Sequence, residues 1–305
     1  MGWTADDIPD QRGRTAVVTG SNTGIGYCTA RELARHGARV VLACRNPARG
    51  MRALARLRAE VPSARAEFRP LDLADLACVR AFADDYPEPS LDLLVNNAGV
   101  MALPYATTAD GFETQIGVNH LGHFALTGLL LPRLLAAGPG ARVVTVASAA
   151  HVLADVDLTD LNGTRRYRRW AAYGQSKSAN LLFVHELSRR LTAAGTPLVA
   201  AAAHPGYAAT DLQTRSALME GRRGAERVYL LGNRLLAQSA DRGALPTLYA
   251  ATAPTITPNS FTGPRPPGWR GPPSPAWRLP RTRNPQKAAH LWAASEELTG
   301  VTYPL

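Results

Sequence analysis

The chain has 305 residues, 46% hydrophobic and 19% charged, which excludes a disordered or fibrous protein and allows a sizeable core. Its formal charge of +10 is mostly dispersed. The one tight cluster, Arg165-Arg166-Tyr167-Arg168-Arg169, has no nucleic-acid motif beside it, so no nucleic-acid partner is expected.

No apolar run reaches the roughly 18 residues of a membrane span, and the start, Met1 to Pro9, shows no basic region followed by an apolar core. Cys28, Cys44 and Cys78 sit in apolar-periodic segments. They read as free thiols of a reducing compartment, with no disulfide set and no metal site, and a cytoplasmic protein is expected.

Thr15-Ala16-Val17-Val18-Thr19 is a β-branched run, the mark of a buried strand. It leads into Gly20-Ser21-Asn22-Thr23-Gly24-Ile25-Gly26 and then into a helical pattern closed by Gly37. Strand, glycine turn and helix N-terminus make an anion cradle: glycine lets the backbone approach a phosphate, and free N–H groups meet its charge. Arg39 to Ala43 is the second strand, and the residue past such a strand meets the adenosine ribose. Here the chain supplies Cys44-Arg45-Asn46 and no carboxylate. A guanidinium matches a 2′-phosphate, so NADP(H) is favoured over NAD(H); the plainer reading of Arg45 is a solvated charge at a strand end.

Asn46-Pro47 looks like an N-cap and first helical position for a helix reaching Glu60. A third strand over 66–71 ends at Asp72-Leu73, where Asp72 either holds the adenine edge or caps the next helix, which runs from about Leu76 to Tyr86. A fourth strand, Leu91 to Val95, delivers Asn96-Asn97-Ala98-Gly99, small residues suited to a closely approaching cofactor. Residues 112–136 read as one long helix; its Asn119, His120 and His123 need polar partners, and Asn119 is either a satisfied buried amide or a residue that kinks the helix and aligns a water.

A fifth strand, Arg142 to Ala147, puts Ser148 at the mouth of the sheet, where open α/β folds bind ligands. After a loop over 149–170, Tyr173-Gly174-Gln175-Ser176-Lys177 opens a helix reaching about Ala194. Positions i and i+4 share a helix face, so Tyr173 and Lys177 can point into one cleft. A phenol is only about 0.1% ionised at neutral pH; a neighbouring ammonium favours the phenolate and makes the pair an acid/base device.

A sixth strand over 197–203 ends in His204-Pro205-Gly206, with Thr210 one loop later. The stretch 207–238 has the composition of a lid. A helix over 241–253 precedes a possible last strand at 257–262. From Gly263 to Pro285, proline and glycine forbid helix or central strand. This reads as an extended flap, followed by an amphipathic helix carrying Ala288, Leu291, Trp292 and Leu298 that docks on the body.

The β-α alternation predicts a single doubly wound α/β Rossmann domain with a mostly parallel seven-stranded sheet. It spans residues 13–262, with a cofactor half over 13–150 and substrate-side elements over 151–262. Residues 263–305 pack on it as flap and helix.

Thr19-Gly20-x-x-x-Gly24-Ile25-Gly26, Asp72, Asn96-Asn97-Ala98-Gly99, Asn119, Ser148, Tyr173-x-x-x-Lys177 and Pro205-Gly206-x-x-x-Thr210 together resemble the short-chain dehydrogenase/reductase family over about residues 13–255. The wording around Asn119 and Tyr173, and the 25 residues separating Ser148 from Tyr173, are most similar to its retinol-dehydrogenase-like branch. The tail resembles bacterial members that lack a membrane anchor. Ala147 departs from the pattern, standing where relatives often have a second serine.

The resemblance implies a catalytic tetrad. Tyr173 is the general acid, Ser148 hydrogen-bonds the carbonyl oxygen, Lys177 binds the nicotinamide ribose and lowers the Tyr173 pKa, and Asn119 holds a water linking Lys177 to solvent. Gly20 to Gly26, Arg45, Asp72, Leu73, Asn97, Ala98, Gly99, Tyr173, Lys177, Pro205, Gly206 and Thr210 are the cofactor contacts expected. The leading expectation is an NADP(H)-dependent oxidoreductase acting on a bulky apolar carbonyl or alcohol of small-molecule kind, with a homo-oligomer possible. Two alternatives are a non-catalytic NADPH-sensing regulator, against which all four tetrad residues stand, and a sugar epimerase, whose Gly-x-x-Gly-x-x-Gly pattern is absent.

Overall fold

The computed structural model describes residues 2–206 and 238–305; Thr210 and all of the expected lid but Gln238 lie outside them. Six strands form close to their expected places, β1 (Thr15–Thr19), β2 (Arg39–Cys44), β3 (Arg65–Pro70), β4 (Leu93–Asn96), β5 (Arg142–Val146) and β6 (Val199–Ala203), and a seventh, β7 (Phe261–Pro264), starts at the end of the expected 257–262 and runs into the proline-rich stretch. They pair in parallel in the order β3-β2-β1-β4-β5-β6-β7. The order reverses between β1 and β4, so a crevice opens beyond their carboxyl ends.

The count of seven needs correction, because an eighth strand, β8 (Pro273–Pro275), joins the sheet antiparallel to β7. It lies inside the proline-rich stretch, and an edge position is what proline permits.

Successive strand residues point to opposite faces, and the core is split accordingly. Val17, Leu94 and Val143 pack on one face with α3 (Leu76–Asp84), α5 (Gly122–Ala136) and α6 (Arg169–Ala193). Ala16, Val18, Leu93, Val95 and Val144 pack on the other with α1 (Gly24–Arg35), α2 (Pro47–Glu60) and α7 (Ala240–Thr252). The Asn46 cap holds, accepting from Arg49 N–H with Pro47 at the first position.

The long helix expected over 112–136 is interrupted. A short α4 (Thr114–Ile116) gives way to a π-helical turn, Gly117–Leu121, before α5 begins. Such bulges gather at functional sites, and Asn119 lies inside this one. The Tyr173 helix also starts earlier than expected, at Arg169.

The C-terminal helix α8 (Pro285–Thr299) is capped by Asn284, which accepts from Lys287 N–H. It docks through Ala288, Leu291 and Trp292; Leu298 stays outside the core. Trp292 is 1% exposed and sits among Phe124, Phe183 and Tyr303, with ring centroids 5.1, 5.9 and 4.4 Å away. Removing so large a buried ring leaves a cavity in a close-packed core. Trp292→Ala is expected to lower unfolding free energy by about 3–5 kcal/mol, read as a lower urea midpoint.

Candidate active site

At the end of β1 the backbone turns through Gly20 at φ +65° and Gly24 at φ +57°, a region that favours glycine. A Cβ on Gly20 would come within 2.8 Å of the Ala98 backbone, and one on Gly26 within 2.6 Å of the Gly20 carbonyl oxygen. Glycine thus lets the α1 N-terminus close on the ends of β1 and β4. Asn22, Thr23, Gly24, Ile25 and Gly26 line the cleft that results.

Ser21 does not face that cleft. It is fully buried and its hydroxyl donates to the Val18 carbonyl at 2.8 Å, so its expected cofactor contact is corrected to a role in shaping the turn.

The β1–β4 junction is fastened by Thr19. Its Oγ1 accepts N–H groups of Asn97 and Ala98, each at 2.9 Å, while Asn97 Nδ2 donates to the Thr19 carbonyl at 2.7 Å. Thr19 Oγ1 also meets His123 Nε2 at 2.9 Å, and His123 Nδ1 meets the Asn119 carbonyl at 3.1 Å. A carbonyl only accepts, so Nδ1 is assigned the proton and Nε2 receives the threonine hydroxyl.

Across the cleft mouth, Arg45 and Asp72 face one another at 3.9 Å, and both line it, as does Leu73. Asp72 does not cap α3; Asp75 does, accepting from Ala77 and Cys78 N–H. Asp72 is freed for the cleft, with one oxygen turned to Ala74 N–H.

The chemical end of the cleft gathers around Gly99. A Cβ there would lie 3.1 Å from Asn119 Oδ1 and 3.6 Å from Lys177 Nζ. Asn119 Oδ1 accepts from Val100 N–H, and Nδ2 donates to the Val100 carbonyl and to Ser176 Oγ, all within 2.9 Å. The amide therefore brackets the Gly99 loop.

Lys177 is 4% exposed and donates to the Val146 carbonyl at 2.9 Å. Ser148 Oγ accepts from Ala150 N–H at 3.1 Å, which leaves its own proton to donate, and Ser148 and Tyr173 line the same end of the cleft. Gly174 makes this meeting possible, since a Cβ there would come within 2.9 Å of the Ala150 carbonyl. Helix and serine loop touch backbone to backbone.

Burial raises the Tyr173 phenol pKa. The Lys177 ammonium lies 5.8 Å from the centre of the tyrosine ring and is aimed at Val146. Its own burial pulls it down to about 8.

Pro205 and Gly206 line the cleft. Thr210 lies outside the described residues. Residue-pattern reasoning missed Thr19 as a hub, Gly174 as a close approach, and His151, a buried cleft residue beside Ser148. Thr19 and Gly174 stood inside recognised motifs, but their contacts are long-range.

The cleft holds about 1360 Å³, beyond the roughly 300–1,000 Å³ of one small-molecule site. A glycine cradle at one end and a buried ammonium with N–H donors beyond its Val146 bond at the other fit a dinucleotide, with space left for a second ligand.

This doubly wound sheet with a glycine-lined cleft beyond the strand ends is a Rossmann-type architecture. The short chain dehydrogenase family is matched over residues 14–221, and the chain belongs to it. It is accordingly an oxidoreductase acting on CH–OH groups with a nicotinamide cofactor. It is 43% identical to retinol dehydrogenase 12 of Mus musculus over 296 residues, covering 95% of this chain and 88% of the relative. It is 45% identical to polyprenol dehydrogenase of Mus musculus over 298 residues, covering 96% and 86%. A crystal structure of an uncharacterized protein from Mycobacterium paratuberculosis superposes with TM-score 0.83 at 49% identity, covering 100% of both chains. Among the described residues no helix is long and apolar enough to cross a membrane.

Burial pushes His120 down to about 3, and His123 and His204 down to about 4. Each stays neutral in the fold while an unfolded imidazole titrates near 6.5. Below that pH the unfolded chain binds more protons than the folded one, so stability is complete above about pH 7 and drains away toward pH 4. Thermal midpoints at pH 7.5, 6 and 5 should fall in that order; a flat profile would count against neutral burial.

Proposed function

We propose that the protein is an NADP(H)-dependent reductase/dehydrogenase that interconverts a carbonyl and an alcohol on an apolar substrate. The observation that carries this reading is the convergence of Ser148, Tyr173 and Lys177 at one end of a cleft whose other end passes Arg45. When bound, the nicotinamide supplies or receives the hydride.

The chain's own residues do the rest. Ser148, its lone pair engaged by Ala150 N–H, donates its proton to the carbonyl oxygen and orients it. Tyr173, held protonated by burial, delivers a proton to that oxygen as charge develops on it. Lys177 turns its remaining N–H donors to ribose hydroxyls. Asn119 keeps the Gly99 loop and the Ser176 hydroxyl in register beside Lys177.

Arg45 supports the preference for NADP(H), because a guanidinium pairs with phosphate more strongly than with a hydroxyl. Apolar substrate chemistry is supported by Leu103, Tyr105, Val152, Trp170, Trp269 and Trp277 along the cleft. The relatives named for retinol and polyprenol act on apolar alcohols, in keeping with this.

A phenol raised by burial remains an acid at neutral pH, which suits reduction. Reductase kcat/KM should hold level at neutral pH and fall above about pH 8, where the Lys177 ammonium is lost; alcohol oxidation, needing the phenolate of a phenol raised by burial, should have its maximum at a higher pH than reduction. Tyr173→Phe should lose on the order of 10²–10⁴-fold in kcat with NADPH affinity intact. Retained turnover in that variant would remove Tyr173 as the proton donor.

Arg45→Ala tests the cofactor choice. It should weaken kcat/KM for NADPH by roughly 10–100-fold, the scale of a charged hydrogen bond, and leave NADH little changed. Equal loss with both cofactors would overturn the 2′-phosphate assignment.

A further inference from the structure

The proline-rich flap reaches into the catalytic serine loop. Ser148 stands two residues past β5 and caps a single 3-10 turn, Ala149–Val152. Its carbonyl accepts from His151 twice, from the backbone N–H at 3.1 Å and from ring Nδ1 at 2.8 Å. The same ring's Nε2 accepts the backbone N–H of Leu279 at 3.3 Å, 128 residues further along the chain. A backbone amide can only donate, so Nε2 is the acceptor and Nδ1 carries the proton toward Ser148. One neutral imidazole thus joins the catalytic serine to the flap.

A second link lies beside it. The carbonyls of His151 and Val152 point out of the turn, where a helix end leaves them without partners of its own. Arg281 Nη2 donates to both at 3.0 Å. Leu279 and Arg281 flank and enter the 3-10 turn Pro280–Arg283. His151 is 2% exposed, faces Phe261 and Trp277 at 6.0 and 6.3 Å, and lines the cleft with Trp277.

We propose that the flap is a clamp on the serine loop, with His151 as a positioning residue that fixes the Ser148 hydroxyl through its paired hydrogen bonds to the Ser148 carbonyl and the Leu279 amide. The inference rests on the reading of Ser148 as the hydroxyl that orients the substrate oxygen. It gives the proline-rich stretch a role in the reaction as well as in walling the substrate end of the cleft. Proline rigidity suits that task, since a stiff segment presents Leu279 N–H and Arg281 with little ordering left to do.

The test uses a backbone substitution. Leu279 has φ −60° and ψ 139°, a conformation proline adopts, so Leu279→Pro deletes the N–H donor; Leu279→Ala removes the side chain and keeps it. His151→Phe removes both ring hydrogen bonds. With the full chain, NADPH and an aldehyde panel, His151→Phe should lower kcat by roughly 10–100-fold with KM and NADPH affinity within about twofold. Leu279→Pro, which also sets its ring Cδ against the imidazole where the N–H stood, should lower kcat by at least roughly three- to tenfold, the scale of one hydrogen bond, and the double variant with His151→Phe should lose less than the product of the two single losses. Leu279→Ala should behave as the parent protein does.

Amide hydrogen exchange at 149–153 should quicken in Leu279→Pro and His151→Phe but not in Leu279→Ala. If Leu279→Pro matches Leu279→Ala in both kcat and exchange, the clamp is refuted. If the variants raise KM and weaken NADPH binding in step with kcat, His151 is structural only and the positioning role falls. Should the parent protein turn over no substrate, the reductase reading fails by itself, and exchange at 149–153 still decides whether the flap holds the loop.

Discussion

The buried Lys177 ammonium is the constraint around which this structure is arranged. Moving an ammonium out of water is expensive unless its donors find partners, and the fold provides one where a strand ends. The Val146 carbonyl, last in β5, takes Lys177 Nζ at 2.9 Å and Asn180 Nδ2 at 3.3 Å. Both donors come from α6, one turn apart, so the helix is pinned to the sheet edge at the level of Ser148. The balance is incomplete by design of the site: burial lowers Lys177 to about 8, so its charge stays sensitive to what enters the cleft. A ligand offering hydroxyls favours the charged form and is favoured by it in return.

That arrangement needs backbones to come closer than side chains normally allow. Gly174 admits the serine loop to α6, Gly99 admits Asn119 and Lys177 to the β4 loop, and Gly20 and Gly26 admit β4 to the nucleotide turn. Hydrogen bonds then lock each approach. Ser178 Oγ donates to the His151 and Ala154 carbonyls, and Thr19 Oγ1 collects two β4-loop amides. The loops that converge on the cleft are thereby fixed by the scaffold before any ligand arrives, which limits the reorganisation that binding demands, while the remaining Lys177 donors are left for the ligand.

Most of this frame was legible in the sequence because it is local. β1 and the Asn46 and Asn284 caps need only a few neighbouring residues to declare themselves, through β-branched runs and a cap followed by proline. Tyr173 and Lys177 share a helix face for the same reason. What escaped depends on contacts distant in sequence. Asn119 reads as a kink within one continuous helix, but the π turn and its hydrogen bonds to Val100 and Ser176 join residues that Gly117-Val118-Asn119 alone does not reveal. Ser21 turned inward because the Val18 carbonyl lay nearer than the cleft, and Asp75 outcompeted Asp72 for the helix cap by position. The direction in which Lys177 points escaped for a similar reason. Spacing gives the shared face, but the direction of the lysine nitrogen is fixed by a strand carbonyl that the spacing does not reveal.

The C-terminal segment shows how far such long-range contacts extend. Its proline content correctly excluded a central strand, yet composition says nothing of what a rigid segment is rigid against. Here it adds an edge strand, contributes Trp277 to the cleft wall, and sends Arg281 to two carbonyls of the serine turn. α8 continues the same logic. Lys287 meets Asp155 at 2.5 Å and Ser295 meets His120 at 2.8 Å, so the tail touches both the loop after Ser148 and the π turn that carries Asn119. Segments remote in sequence thus bear on two of the four groups at the chemical end of the cleft. A family core can keep its proton-transfer geometry while its tail changes the wall against which a substrate must fit, because the tail acts on the loops that carry the reacting groups and leaves the glycine turn at the cofactor end untouched.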